Sequence, residues 1–228
     1  MALSIGKKIP EGAIKLTPEE AFDHQWKLIN NWPNFIDVWP FFLGTPILAG
    51  LGAITSIRIN SAIRSKLNLR NYGKVISHYT VSLATFTVIG LSHQSIITEK
   101  IITLKASCPV CIETQAILLQ LGSCVLYPSI LSSCTNLYMA NKYATYRIPY
   151  FADGQGIFKL YLKLVESLKK KIVRHVILNF IAAGFITYLE SVALAKIHKK
   201  LMKNEIELNE INKIPPETNP KKLSNGKT

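Results

Sequence analysis

Cys108-Pro109-Val110-Cys111 is the one compact group of residues in this chain whose types and spacing suit chemistry. A C-x-x-C pair serves as a redox dithiol, as half of a zinc site, or as a structural disulfide. Zinc needs a second pair of ligands. The remaining cysteines, Cys124 and Cys134, lie inside an apolar run, and no histidine stands near the motif at ligand spacing. A thioredoxin-type enzyme needs a βαβ setting to lower the attacking thiol's pKa, and this motif instead precedes a long apolar run. The residues favour a disulfide between Cys108 and Cys111 that tightens a turn, formed if the turn faces an oxidising compartment; two unpaired thiols are the alternative. Cys124 and Cys134 are ten residues apart, ~2.8 helical turns, and read as small packing residues. His78, His93 and His175 are scattered over different runs and read as hydrogen-bonded packing groups, although any ionisable group at membrane depth is a functional hypothesis. No phosphate-binding loop, dinucleotide fingerprint, nucleophile elbow or Ser/His/Asp arrangement appears. No catalytic residue, metal or cofactor is therefore expected.

The elements that must position these residues are long and almost uncharged. Runs 38–57, 75–98, 114–141 and 176–189 exclude nearly all formal charge, the last staying apolar through Val192, Ala193, Leu194 and Ala195. Crossing a hydrocarbon core of ~30 Å takes ~20 helical residues, and in lipid only a helix or a closed barrel satisfies its own backbone. The expectation is an all-α, polytopic membrane protein with about four transmembrane helices and short interfacial helices. Its parts are an N-terminal segment (1–37), a four-helix membrane domain (38–197) with basic loops 58–74 and 142–174, and a mobile lysine-rich tail (198–228). The second run is polar for a lipid-facing span, with His78, Thr80, Ser82, Thr85, Thr87, Ser92 and His93, so it is expected to face other helices. Ala49, Gly52, Ala53 and Ser56 in the first run, and Ser129 and Ser133 in the third, are spaced to let helices approach closely.

A net charge of +13 resembles a nucleic-acid signal until it is distributed along the chain. Residues 1–37 sum to −1, the loop 58–74 holds five cations and no acid, the next loop is neutral, and the loop 142–174 sums to +6. Positive charge sits in alternate loops and at span ends, so it marks one side of a membrane as cytoplasmic or its equivalent and argues against nucleic acid. The first ten residues lack the apolar core of a secretory signal, and the first 37 lack the arginines of a mitochondrial presequence.

Two amphipathic stretches flank the spans. Thr17-Pro18-Glu19-Glu20 has the form of a capping box, and the helix it opens places Phe22, Trp26 and Ile29 on one face. All three tryptophans, Trp26, Trp32 and Trp39, precede the first span and are expected to anchor it at the membrane interface. Further on, Leu160 or Tyr161, Leu164 and Leu168 share a face flanked by Lys159, Lys163, Lys169, Lys170 and Lys171, a pattern expected to lie on an anionic leaflet.

From Cys108 to about Phe151 the chain resembles the transmembrane protein 126 family. The resemblance rests on the Cys108-x-x-Cys111 pair opening the third span, on Leu126-Tyr127-Pro128 near its middle, and on the Asn136…Ala140-Asn141-Lys142-Tyr143 exit into a basic loop. The first span followed by Arg58 and Arg64, and a last span ending near Tyr188-Leu189-Glu190, fit the same outline. What the resemblance implies is a multi-pass protein of the mitochondrial inner membrane that assists assembly of respiratory complex I. Its partners would be membrane-arm subunits, other complex I assembly factors and inner-membrane lipid, cardiolipin being the natural anionic species there. In that setting loops 58–74 and 142–174 face the matrix, and the termini and the cysteine pair face the intermembrane space. Three function classes follow: a noncatalytic assembly factor, a membrane thiol oxidoreductase using Cys108 and Cys111, and a small-solute transporter, for which His78, His93, Pro46 and Pro128 are the only support.

Overall fold

Helix formation begins where Thr17-Pro18-Glu19-Glu20 dictates it. In the computed structural model, which describes residues 17–104, 108–147 and 154–213, the Glu20 amide donates to Thr17 Oγ1 at 3.3 Å. The Thr17 amide donates back to Glu20 Oε2 at 2.8 Å, a closed capping box. Helix α1 (Pro18–Asn30) follows, then α2 (Phe35–Lys66). The second span is α3 (Lys74–Ser92), a π-helical segment (His93–Thr98) and α4 (Glu99–Ile102). The third is α5 (Pro109–Leu121), a second π segment (Gly122–Leu126) and α6 (Tyr127–Lys142), and α7 (Gly154–Lys213) closes the described chain. Four helical stretches are long and apolar enough to cross a bilayer: Phe35–Lys66, Lys74–Ile102, Pro109–Lys142 and Ile172–Asn204. Among the described residues there is no strand, and the chain is an all-α, multi-pass membrane protein.

The spans run up and down, and their interior divides into three layers. At one end α1, the start of α2, α4, α5 and the end of α7 enclose Ile29, Phe41, Ile101, Ile112 and Ile197. In the middle Leu48, Ala49, Ile89, Cys124, Ala183 and Ile186 meet. At the other end Ile59, Ile63, Leu67, Leu69, Leu137 and Leu164 close the bundle. The first and third loops lie together at this last end, where Thr145 Oγ1 donates to the Leu67 carbonyl at 3.1 Å and Tyr72 stacks on Tyr143 at 4.8 Å.

Each π segment has a local reason. Buried positions of the second span recur at every fourth residue, Ser77, Val81, Thr85, Ile89, His93, Ile97 and Ile101. An α-helix of 3.6 residues per turn rotates such a stripe by ~40° per step, so it would leave its neighbours. The wider i→i+5 turn at His93–Thr98 rotates it back and keeps Ile97 and Ile101 against the bundle. The second π segment ends at Leu126, two residues before Pro128, whose ring cannot donate to or pass the Cys124 carbonyl of a regular helix, and the widened turn relieves that conflict.

Several expectations change. The second span is the least enclosed, with 22% of its apolar window buried against 50% for the first. Four of its hydroxyls bond their own backbone, Thr85 to Val81, Thr87 to Leu83, Ser92 to Val88 and Ser95 to Leu91, while Ser77 reaches Asn60 and Asn136 on neighbouring helices. The Phe22, Trp26, Ile29 face of α1 is covered by the protein, with Trp26 stacked on Phe22 and set against Phe42. The lysine-flanked stretch is continuous with the fourth span in α7; Ile157, Leu160 and Leu164 pack on the end layer, Phe158, Leu162, Lys159, Lys163 and Lys169 are exposed, and the Leu168 side chain lies outside the described set. At 1.5 Å per residue the 60 residues of α7 extend about 90 Å, well past a ~30 Å core. The helix continues through Lys213 where a mobile tail is read from composition; residues 214–228 lie outside the described residues.

Candidate functional site

The polar groups inside this bundle form three clasps at successive depths. The first joins the second and fourth spans. His93 opens the π segment and Glu190 projects from α7, with Nε2 and Oε1 3.3 Å apart and side chains 2% and 0% exposed. Gly44 of α2 makes room for it, since a Cβ there would meet Ile186 Cγ2 at 2.7 Å and Glu190 Oε1 at 3.3 Å. Among the described residues Glu190 Oε2 and the hydroxyl of Thr187, one turn away, have no hydrogen-bond partner. A charge on either group so enclosed is stabilised only by the other, because alone it would face a low-dielectric interior. Chemically the pair can hold and exchange one proton. Among the described residues no group of three or more His, Cys, Asp or Glu side chains is arranged to hold a metal.

The second clasp lies in the middle layer. Gln120 Nε2 donates to Asn179 Oδ1 at 2.8 Å and to the Leu48 carbonyl at 3.1 Å, and Asn179 Nδ2 donates to Thr55 Oγ1 and the His175 carbonyl, both at 2.8 Å. Spans one, three and four are thereby joined. The third clasp binds spans one, two and three. Asn60 Oδ1 accepts from Asn136 Nδ2 at 2.6 Å and Ser132 Oγ at 2.7 Å, and Asn60 Nδ2 donates to Ser77 Oγ at 2.9 Å. One turn on, Arg64 donates to Asn136 Oδ1 at 3.3 Å, to the Tyr72 carbonyl at 2.6 Å and to the Arg70 carbonyl at 3.3 Å. Carboxamides and hydroxyls of this kind are how membrane helices fix register where apolar packing alone does not.

The cysteine pair stands apart from these clasps. Cys108 is the N-cap of α5 and Cys111 lies one turn in, both free thiols in the structure and not joined as a disulfide. The Cys111 thiol and the amides of Cys111 and Val110 hydrogen-bond Cys108 and hold its thiol below the usual range. One turn of separation at a helix start is compatible with either oxidation state. Cys124 is fully buried in the middle layer, as a packing residue should be, whereas Cys134 is exposed.

The remaining expected residues fall as follows. Trp26 and Trp32 pack on the first end layer, the Trp32 indole donating to Asp37 Oδ2 at 3.3 Å, and Trp39 is half-buried. Lys159, Lys163 and Lys169 are exposed on α7; Lys170 and Lys171 belong to that helix, their side chains outside the described set. Gly52, Ala49 and Ser56 sit at the close contacts of α2, a Cβ on Gly52 running into Ile89. Arg64 and Glu190 do not figure among the sequence-derived sites. Arg64 is counted there among the five cations of the first loop and Glu190 is read as the end of the last span, yet Glu190 is a single acid in the run 186–194 that otherwise holds no charge, and Arg64 follows Asn60 by one turn.

Two comparisons bear on identity. The family model described as Transmembrane protein 126 matches residues 25–204. A Drosophila melanogaster protein called Transmembrane protein 126 is 27% identical over 214 residues, 92% of this chain and 96% of that one. No solved structure matches.

Proposed function

The chain belongs to the transmembrane protein 126 family, and from that membership together with the open face of its second span we propose that it is a noncatalytic assembly factor of the mitochondrial inner membrane. In this reading it holds hydrophobic subunits of the complex I membrane arm until their permanent neighbours arrive. Other complex I assembly factors are its companions.

The observation that carries the reading is the character of the face left open. Leu83, Phe86 and Leu91 of α3 are exposed, while the hydroxyls beside them are closed on their own backbone. Such a surface meets another apolar helix by packing alone, without interhelical hydrogen bonds. Contacts of that kind are weak enough to release a client. The interior, by contrast, is fixed by three clasps, so the protein keeps its own shape while the client changes.

Mild-detergent capture of the tagged protein from mitochondria, resolved on a native gel with mass spectrometry, tests this. Recovery of membrane-arm subunits in a particle smaller than the mature enzyme is expected, and Leu83→Ala/Phe86→Ala should lower that recovery without lowering the melting temperature. Capture of the protein alone, with mature complex I unaffected by its depletion, sinks the reading.

The geometry of Cys108 favours one second reading, a membrane thiol oxidoreductase. A thiol held below its usual range at a helix start beside a second thiol is a reactive arrangement. Cys108→Ser/Cys111→Ser separates the cases. A redox role predicts accumulation of reduced client at normal levels of the protein, whereas a structural disulfide predicts loss of the protein itself.

A further inference from the structure

Arg64 is 4% exposed, and among the described residues every group it bonds is neutral: the Asn136 carboxamide, the carbonyls of Arg70 and Tyr72, and the Met139 sulfur at 3.9 Å. A buried cation with no counter-ion is costly and calls for an anion from outside the chain. The space beside it supplies the place. A cavity of about 430 Å³ is lined by Ser61, Arg64, Asn68, Arg70, Lys74 and His78, together with Ser65. Three of these are permanent cations, none is an acid, and residues 58–74 contain no Asp or Glu.

The loop is folded so as to present these groups. Leu67 and Leu69 are fully buried in the end layer, and the alternate residues Asn68 and Arg70 turn outward into the cavity. Both hold positive φ, 53° and 43°, a conformation that is strained for an arginine and persists only where its surroundings impose it. Ser61 Oγ lies 2.8 Å from His78 Nε2, while His78 Nδ1 faces the Lys74 carbonyl at 2.8 Å, so the imidazole is fixed at the rim.

Position argues for the source of the anion. The cavity sits where the first span ends at Lys66 and the second begins at Lys74, at the bundle end carrying the positive loops. The residues following Lys74 include Val75, Ile76 and Tyr79, 80%, 68% and 65% exposed, the kind of surface acyl chains cover. Basic pockets between spans at the positive side are the membrane's usual anionic headgroup sites. We infer that the cavity between the first and second spans binds the phosphate of an anionic phospholipid, Arg64, Arg70 and Lys74 supplying the charge and Ser61 and Ser65 the hydroxyls.

The test uses the full chain purified in detergent, with melting temperature followed as lipid is titrated in. Cardiolipin and phosphatidylglycerol should raise the melting temperature, and phosphatidylcholine should not. Arg70→Gln/Lys74→Gln removes two exposed cations, and near the membrane surface each is worth enough that apparent affinity for the anionic lipids should fall about thirtyfold. Melting of this variant in phosphatidylcholine micelles should match the parent, showing that the bundle is intact. Lys159→Gln/Lys163→Gln, an equal charge change on α7, should leave affinity unaltered. The inference fails if Arg70→Gln/Lys74→Gln binds as tightly as the parent, or if the α7 variant loses as much. Inorganic phosphate alone reproducing the shift would overturn the lipid as source and assign the cavity to a free anion.

Discussion

His93 and Glu190 make different demands once separated. An imidazole can remain neutral in an apolar interior, so Glu190→Gln leaves a bonded amide and a neutral ring and should cost about 1–2 kcal/mol. His93→Ala leaves a carboxyl group with neither oxygen bonded to a partner of comparable strength, and should cost about 3–5 kcal/mol. Thermal unfolding of the two variants in one detergent checks the order; equal costs would mean that the pair is not an interacting unit. Gly52 illustrates the steric counterpart, because a methyl group there occupies the space of the Ile89 side chain. Gly52→Ala should destabilise by about 1–3 kcal/mol, whereas Gly50→Ala, which meets nothing, should not. Sequence reading reached Gly52 through its small-residue spacing. It passed over Glu190, because an acid read as the end of a span loses the information that uncharged residues continue on its other side through Ala195.

At the scale of elements, α1 shows a local rule acting as written. Glu20 is held below the usual carboxylate range chiefly by the Thr17 amide and then by the Thr17 hydroxyl. Its folded pKa is depressed, so its contribution is fully present above the ordinary glutamate value of about 4.3 and is lost as pH falls through the lower, folded value. Amide exchange in α1, corrected for intrinsic rates, should therefore accelerate in that acid window while α2 does not. Thr17→Ala should produce the same acceleration at neutral pH. An unchanged α1 in both experiments would show that docking against Phe41 and Ile197, not the cap, holds the helix. The π segments lie at the other extreme. Nothing in His93–Thr98 marks a widened turn locally; it exists because seven buried positions at a spacing of four must stay on one side of a helix with 3.6 residues per turn. Pro128 gave a local hint of the second.

For the whole molecule the distribution of charge predicts orientation. Arg58, Arg64, Arg70, Lys74, Lys142 and Arg147 all belong to the end at which loops one and three meet. In mitoplasts, tags at either terminus should be cut by protease while a tag in the 143–153 loop is protected; the reverse pattern would invert the proposed topology. The sequence by itself determined the four spans, their alternation and the basic end, because hydrocarbon thickness and charge cost act on each stretch regardless of its neighbours. It also placed the α1 cap, whose hydrogen bonds close within three residues. Only the tertiary structure decided which face of each helix is open, that the second span is the least enclosed, and that the lysine-flanked stretch of α7 covers its own bundle. Only there do Asn60 and Asn136, 76 residues apart, or His93 and Glu190, 97 apart, come to share a bond. The physical reason is that a polar side chain in a span can close on its own backbone, as Thr85 does, or on another helix, as Ser77 does, and one sequence allows both until the helices pack.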